Sequence, residues 1–99
     1  MTEKIKISEL PEFDITELLD TDEDIAAYLA IVLEENDPAE FVRALGNVAR
    51  AKGMTEIAKA SGLSRESLYK ALKPTSKVRF ETVMRVCGAM GLRLTTQAA

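Results

Sequence analysis

Apolar residues recur at helical spacing through most of the chain, and the gaps between the runs carry the residues that start and stop helices. Ile25, Tyr28, Leu29, Val32 and Leu33 form one stripe. Asp22, Glu23 and Asp24 precede it, an acidic first turn suited to the positive end of a helix dipole, and the pattern predicts a helix over residues 21–35. Asp37-Pro38-Ala39-Glu40 combines an N-cap, a proline at the first helical position and a glutamate at the third. It predicts a second helix with Phe41, Leu45, Val48 and Ala49 on its inner face, running to Lys52 with Gly53 just beyond. Two short amphipathic segments follow, separated by Ser61-Gly62-Leu63, and Pro74 stops the second. A last stripe of Phe80, Val83, Met84, Cys87 and Met90 ends at Gly91. The expected fold class is all-α, a five-helix bundle with short connections. Lys4-Ile5-Lys6-Ile7 and Leu92-Arg93-Leu94-Thr95 alternate and predict short extended N- and C-terminal arms, the second a candidate strand. Asp14-Ile15-Thr16-Glu17 reads as a capping box opening a one-turn helix with Leu18 and Leu19.

The most specific segment is residues 54–72, MTEIAKASGLSRESLYKAL, which reads as a helix-turn-helix. Ala58 is small enough to let two helices approach, Gly62 four residues later accepts a tight turn, and Ser64 caps the second helix. Ile57, Leu63, Leu68 and Ala71 supply the apolar contacts that set the interhelical angle. That angle is what projects a recognition helix into a major groove. An ordinary corner between two bundle helices is the plainer reading.

Charge changes the picture. The chain as a whole carries −3, which by itself argues against nucleic acid. Residues 1–40 hold Lys4 and Lys6 against 13 carboxylates, a balance of −11, whereas residues 41–99 hold 11 Lys and Arg against Glu56, Glu66 and Glu81, a balance of +8. A basic half that also carries a helix-turn-helix is the electrostatic footprint of a DNA binder. The boundary drawn from this runs between residues 1–36, an acidic arm and helix, and residues 37–99, the helix-turn-helix domain, the two packing as one unit.

Other chemistry is thin. Ninety-nine residues with 46% apolar content suffice for one modest core. No apolar run approaches the ~20 residues of a membrane span, and no signal-peptide pattern opens the sequence, so a cytoplasmic protein is expected. Cys87 is the single cysteine and falls on an apolar stripe, the place of a structural thiol. The chain has no histidine, which removes the commonest general base. Asp20-Thr21-Asp22-Glu23-Asp24 opens like a calcium loop, but Ile25 stands where the glycine belongs and Ile31 where the closing glutamate belongs. Ser67-Leu68-Tyr69-Lys70 matches a nucleophile motif whose companion segments are missing. No metal, no cofactor and no catalytic role is expected.

The helix-turn-helix, with helices before and after it, resembles the lambda-repressor-like DNA-binding domains of Cro and cI type. The likeness is closer to the addiction-module antidote proteins, the HigA-like antitoxins. It is carried by Phe13-Asp14, Asp24-Ile25-Ala26-Ala27-Tyr28-Leu29, Gly53-Met54-Thr55-Glu56-Ile57-Ala58 and Gly62 through Leu72, and extends from about Phe13 to Leu94. The resemblance implies an antitoxin that neutralises a small RelE/ParE-like toxin and represses its own operon as a homodimer on double-stranded operator DNA. It places base reading on Ser64, Arg65, Glu66 and Lys70. Helical spacing agrees, since Leu68, Ala71 and Leu72 facing the core would turn Glu66, Lys70 and Lys73 outward. Arginine suits guanine and glutamate can accept from cytosine; a solvated first-turn acid is the alternative reading of Glu66.

Thr55, Ser67, Tyr69, Lys73, Lys77 and Arg79 are candidate phosphate contacts. Met54 stands where the repressor fold often has a phosphate-gripping glutamine, and Thr55, as an N-cap, is the expected substitute. A small basic toxin needs an acidic surface with an apolar centre, and Phe13, Asp20, Asp22, Glu23, Asp24 and Tyr28 supply one. Packing of Phe13 and Tyr28 on the domain is the alternative. A stand-alone phage-like repressor is the competing function, and a helical interaction module that has lost DNA binding a third.

Overall fold

The computed structural model describes residues 21–98. The expected arm at residues 4–7 and one-turn helix at residues 14–19 lie outside these, as do the candidate toxin-facing residues Phe13 and Asp20. Among the described residues the secondary structure is five helices and no strand: α1 (Asp22–Glu34), α2 (Pro38–Lys52), α3 (Met54–Ser61), α4 (Arg65–Ala71) and α5 (Phe80–Ala89).

The boundaries fall where side chains satisfy the free backbone groups of a helix end. Thr21 caps α1, its Oγ1 accepting from the Asp24 amide at 3.1 Å. Asp37 caps α2 by accepting from the amides of Ala39 and Glu40 at 3.1 and 3.3 Å, with Pro38 at the first position where its missing N–H costs nothing. Asn36, in the middle of the α1–α2 connection, takes a positive φ of 56°, a conformation asparagine tolerates better than most residues.

Helix α2 runs through the middle of the molecule, and six consecutive residues, Ala44 to Ala49, are buried. One face takes Leu45, Val48 and Ala49 into the main core with Ile25, Tyr28, Leu29 and Val32 of α1. The same core continues through Met54, Ile57 and Ala58 of α3, Leu68 of α4, Leu72 just beyond it, and Val83, Val86, Cys87 and Met90 at α5. Helix α3 packs against α2, α4 and α5, which makes it the hub of the bundle. The acidic start of α1 is tied to the basic end of α2 by Asp22 and Lys52, at 3.1 Å. That pair is solvated, worth at most about 1 kcal/mol.

Three sequence expectations are corrected. Leu33 is exposed, because the buried face of α1 closes on Ile25, Tyr28, Leu29 and Val32 and Leu33 falls on its edge. In α5 the inner stripe is Val83, Val86, Cys87 and Met90, while Phe80 is 67% and Met84 53% exposed. Val86, absent from the predicted stripe, takes the central place. Residues 92–98 form no strand: they run past the helices, with Leu92 and Leu94 half-buried on the core and Arg93 and Thr95 facing solvent.

Candidate nucleic-acid interface

The turn between α3 and α4 is built as the sequence requires. Gly62 takes a left-handed φ of 77°. Its amide donates to the Lys59 carbonyl at 3.3 Å and the next amide, Leu63, reaches back to Ala58 at 3.1 Å. This is a Schellman end, and it satisfies carbonyls that α3 would otherwise leave free. Ser61, buried beside the turn, donates its hydroxyl to the Ala58 carbonyl at 3.1 Å. Ala58 is therefore the pivot: its small side chain is buried and its carbonyl takes two donors.

Ser64 opens α4, its Oγ accepting from the Ser67 amide at 3.0 Å and donating to the Ser67 hydroxyl at 2.9 Å. Leu68 is fully buried and Leu72 nearly so. With those two inward, Arg65, Glu66, Tyr69, Lys70 and Lys73 come out on the solvent side and line one shallow, open depression. Within it the Arg65 guanidinium lies 5.4 Å from the Tyr69 ring centre and donates to the tyrosine hydroxyl at 3.3 Å. Tyr69 is exposed rather than packed beside Leu68. The depression gathers three cations, one carboxylate and one aromatic ring, groups that can meet base edges and phosphates.

Beyond α4 the loop is folded back on the helix. Ser76 donates its hydroxyl to the Ala71 carbonyl at 2.7 Å and its amide to the Lys73 carbonyl at 2.9 Å. The serine caps the C-terminal end of α4 and holds Lys73 at the depression. Sequence reasoning missed it; its only signal was a hydroxyl residue two places after a helix-stopping proline. Lys77 is exposed, but on another groove with Asp37, Pro38 and Pro74, so it is not gathered with the cations of α4. Arg79 is exposed at the N-terminal boundary of α5. Thr55 is exposed but is not an N-cap: α3 starts one residue earlier, with Gly53 in the capping position and no side-chain cap. The cause is direct succession of the helices, since Gly53 ends α2 and begins α3 without an intervening residue. Arg85 was also missed. Its Nη1 would lie 3.9 Å from a Cβ placed on Gly62, which sets this cation beside the turn.

Two other candidates for chemistry resolve simply. Burial raises the Cys87 thiol above the ordinary cysteine value, the opposite of what a reactive nucleophile needs. Among the described residues no group of three or more His, Cys, Asp or Glu is placed to hold a metal ion, and Asp22, Glu23 and Asp24 form the exposed first turn of α1. No helix among them is long and apolar enough to cross a membrane.

The profile of a family described as probable addiction module antidote protein matches residues 9–98. The chain belongs to this antidote family. It is also 42% identical over 97 residues to an uncharacterized protein of Haemophilus influenzae, an alignment that covers 98% of this chain and 95% of that one. No solved structure matches. An antidote implies a toxin partner, which turns attention to the acidic end of the molecule. Asp22, Glu23 and Asp24 are exposed there, and no Lys or Arg occurs between residues 21 and 40. Tyr28 is 8% exposed and belongs to the core, so the expected aromatic anchor on this face is corrected: the ring is used in packing α1 onto α2. The large apolar side chains that α1 does present are Ile31 and Leu33, 38% and 48% exposed.

Proposed function

We propose that this antidote is the antitoxin of a type II module, neutralising a small basic toxin of RelE/ParE type and repressing its own operon as a dimer on operator DNA. The observation that carries the DNA half of this reading is the depression on α4 where Arg65, Glu66, Tyr69, Lys70 and Lys73 meet. Arg65 and Glu66 at the start of α4 read bases; Lys70 and Lys73, further along, steer toward phosphate. Thr55, Ser67 and Arg79 are the proposed outer phosphate contacts. The toxin half rests on family membership and on α1, where Asp22, Glu23 and Asp24 adjoin an apolar outer face ending in Ile31 and Leu33. Opposite charge speeds encounter and selects the partner, while buried apolar contacts hold it.

The test is a titration of the full chain against duplexes from its own promoter region, with and without the product of the adjacent gene. Specific binding to an inverted repeat is expected, lost on scrambled duplex. With ~6–10 phosphate contacts per dimer, affinity should fall roughly 10³–10⁵-fold between 50 and 200 mM salt. Salt-independent binding, or equal affinity for scrambled sequence, would overturn the DNA reading. Failure of the adjacent gene product to bind would overturn the toxin reading and leave a stand-alone repressor.

A further inference from the structure

Asn47 is the one polar side chain in the buried run of α2, 4% exposed between Gly46 and Val48. Burying an amide is costly unless it is hydrogen-bonded. Here its Oδ1 accepts from Nη2 of Arg50, one turn further on, at 2.6 Å. Arg50 itself is exposed. Its guanidinium lies over Gly46, where a Cβ would stand 3.2 Å from Nη1 and 3.4 Å from the Leu72 carbonyl oxygen. Bare backbone at residue 46 thus gives the arginine head and the end of α4 room in one place. The carbonyl end of a helix is the negative pole of its dipole and favours a cation. Two other basic side chains around the helix-turn-helix are neutralised, Lys52 by Asp22 and Arg85 by Glu81. Among the described residues Arg50 forms no ion pair, and its partner is a neutral amide. It is aimed and still fully charged.

We infer that Arg50 grips a backbone phosphate of the DNA beside the C-terminal end of α4, and that buried Asn47 is the positioning residue that aims it. The inference rests on the proposed DNA reading and adds to it a contact from outside the helix-turn-helix. Lys73 follows Leu72 directly and lines the depression on α4. Arg50, seated against Leu72, continues that positive edge from α4 onto α2. A guanidinium is a planar fork of donors, so one bond to Asn47 leaves others free to take a phosphate oxygen pair. Ordering a long arginine side chain costs entropy, and the bond to Asn47 lowers that cost before DNA arrives. The same bond accounts for an amide in the middle of an apolar core. An aliphatic residue at position 47 would suit the core better but would leave the guanidinium loose.

The experiment titrates the full chain with a duplex from its own promoter region and with an unrelated duplex, over a range of salt. Arg50→Gln should weaken both alike, roughly eightfold per bound copy at 100 mM salt, and lower the salt slope by about 0.9 per copy, the share of one phosphate. Arg50→Lys should keep the slope, because the charge remains, yet bind less tightly, because an ammonium lacks the fork that meets amide and phosphate together. Asn47→Ala should resemble Arg50→Lys and should change affinity no further when added to Arg50→Gln. A mere loss of stability would not produce that non-additivity. Asn47→Asp keeps the shape of the side chain, sets a carboxylate against the guanidinium and should flatten the slope as Arg50→Gln does. An unchanged slope in Arg50→Gln overturns the inference. So does a loss confined to the promoter duplex, which would make Arg50 a strut of α4. Full additivity of Asn47→Ala and Arg50→Gln overturns the positioning role. A wild type that binds neither duplex defeats the DNA reading and this inference with it, whereas the other results defeat this inference alone.

Discussion

The Arg65 guanidinium donates to the Tyr69 hydroxyl at 3.3 Å, one helical turn away. An arginine at the start of a recognition helix ordinarily samples many rotamers, and ordering it on DNA costs entropy. Holding it against a ring on its own helix lowers that cost before the groove is met. Tyr69→Phe should therefore weaken specific binding modestly and leave non-specific binding alone. Arg65→Ala should relax specificity at one base pair by about 1–3 kcal/mol. Competition titrations with single-base variants of the operator separate the two effects.

Ser64 serves two partners at once, the Ser67 amide and the Ser67 hydroxyl. Ser64→Ala leaves the amide without its acceptor, and the loss of such a cap typically costs about 1 kcal/mol. For a domain of this size that corresponds to a melting midpoint lower by roughly 4–8 °C, measurable by circular dichroism.

Leu45 is completely buried and Val83 is 9% exposed, both in the shared core. Leu45→Asp and Val83→Asp should unfold the domain, since each places an unpaired carboxylate in an apolar site. Leu45→Ala is the gentler probe, expected to cost about 2–5 kcal/mol through lost contacts and a residual cavity. Thermal melts should rank Leu45→Asp below Leu45→Ala and both below wild type.

Cys87 should resist alkylation in the native protein and react at once in denaturant, because the thiol is buried and its pKa raised by desolvation. The sign for stability follows. The unfolded thiol ionises at lower pH than the folded one, so its contribution is intact below the ordinary cysteine value and is lost as pH climbs from there toward the folded value. Cys87→Ala should show a shallower alkaline decline in melting midpoint than wild type.

Much of this fold was legible because caps and periodicity agreed. Asp37-Pro38, Gly62 and Ser64 each mark a boundary through a backbone requirement that few residues meet, and each stands where expected. The same local logic failed at Thr55, where helix α2 runs into α3 so closely that no side-chain cap is needed. It failed at Phe80 and Met84 because an apolar residue on a helix says only that it avoids water, not which neighbour covers it. It placed Lys77 with the recognition cations by sequence proximity, whereas the loop turns that side chain toward Asp37 and Pro38. Tyr28 looked equally suited to a docking face or a core, a choice that only the packing of α1 on α2 decides.

Gly53 joins α2 to α3 with no slack. Its amide donates to Ala49 at 2.9 Å, closing one helix, and its carbonyl accepts from Ile57 at 3.1 Å, opening the next. With a φ of +106°, the residue is held in a shape that side chains rarely adopt. The two helices are thus linked by backbone hydrogen bonds that share Gly53, and fraying of one at this junction loosens the other. Their amide protons should exchange with solvent as one cooperative block. An insertion here would also behave as a phase shift: each added residue turns α3 by about 100° relative to α2. The bearing of α4 is thus set at Gly53, a full helix before α4 begins.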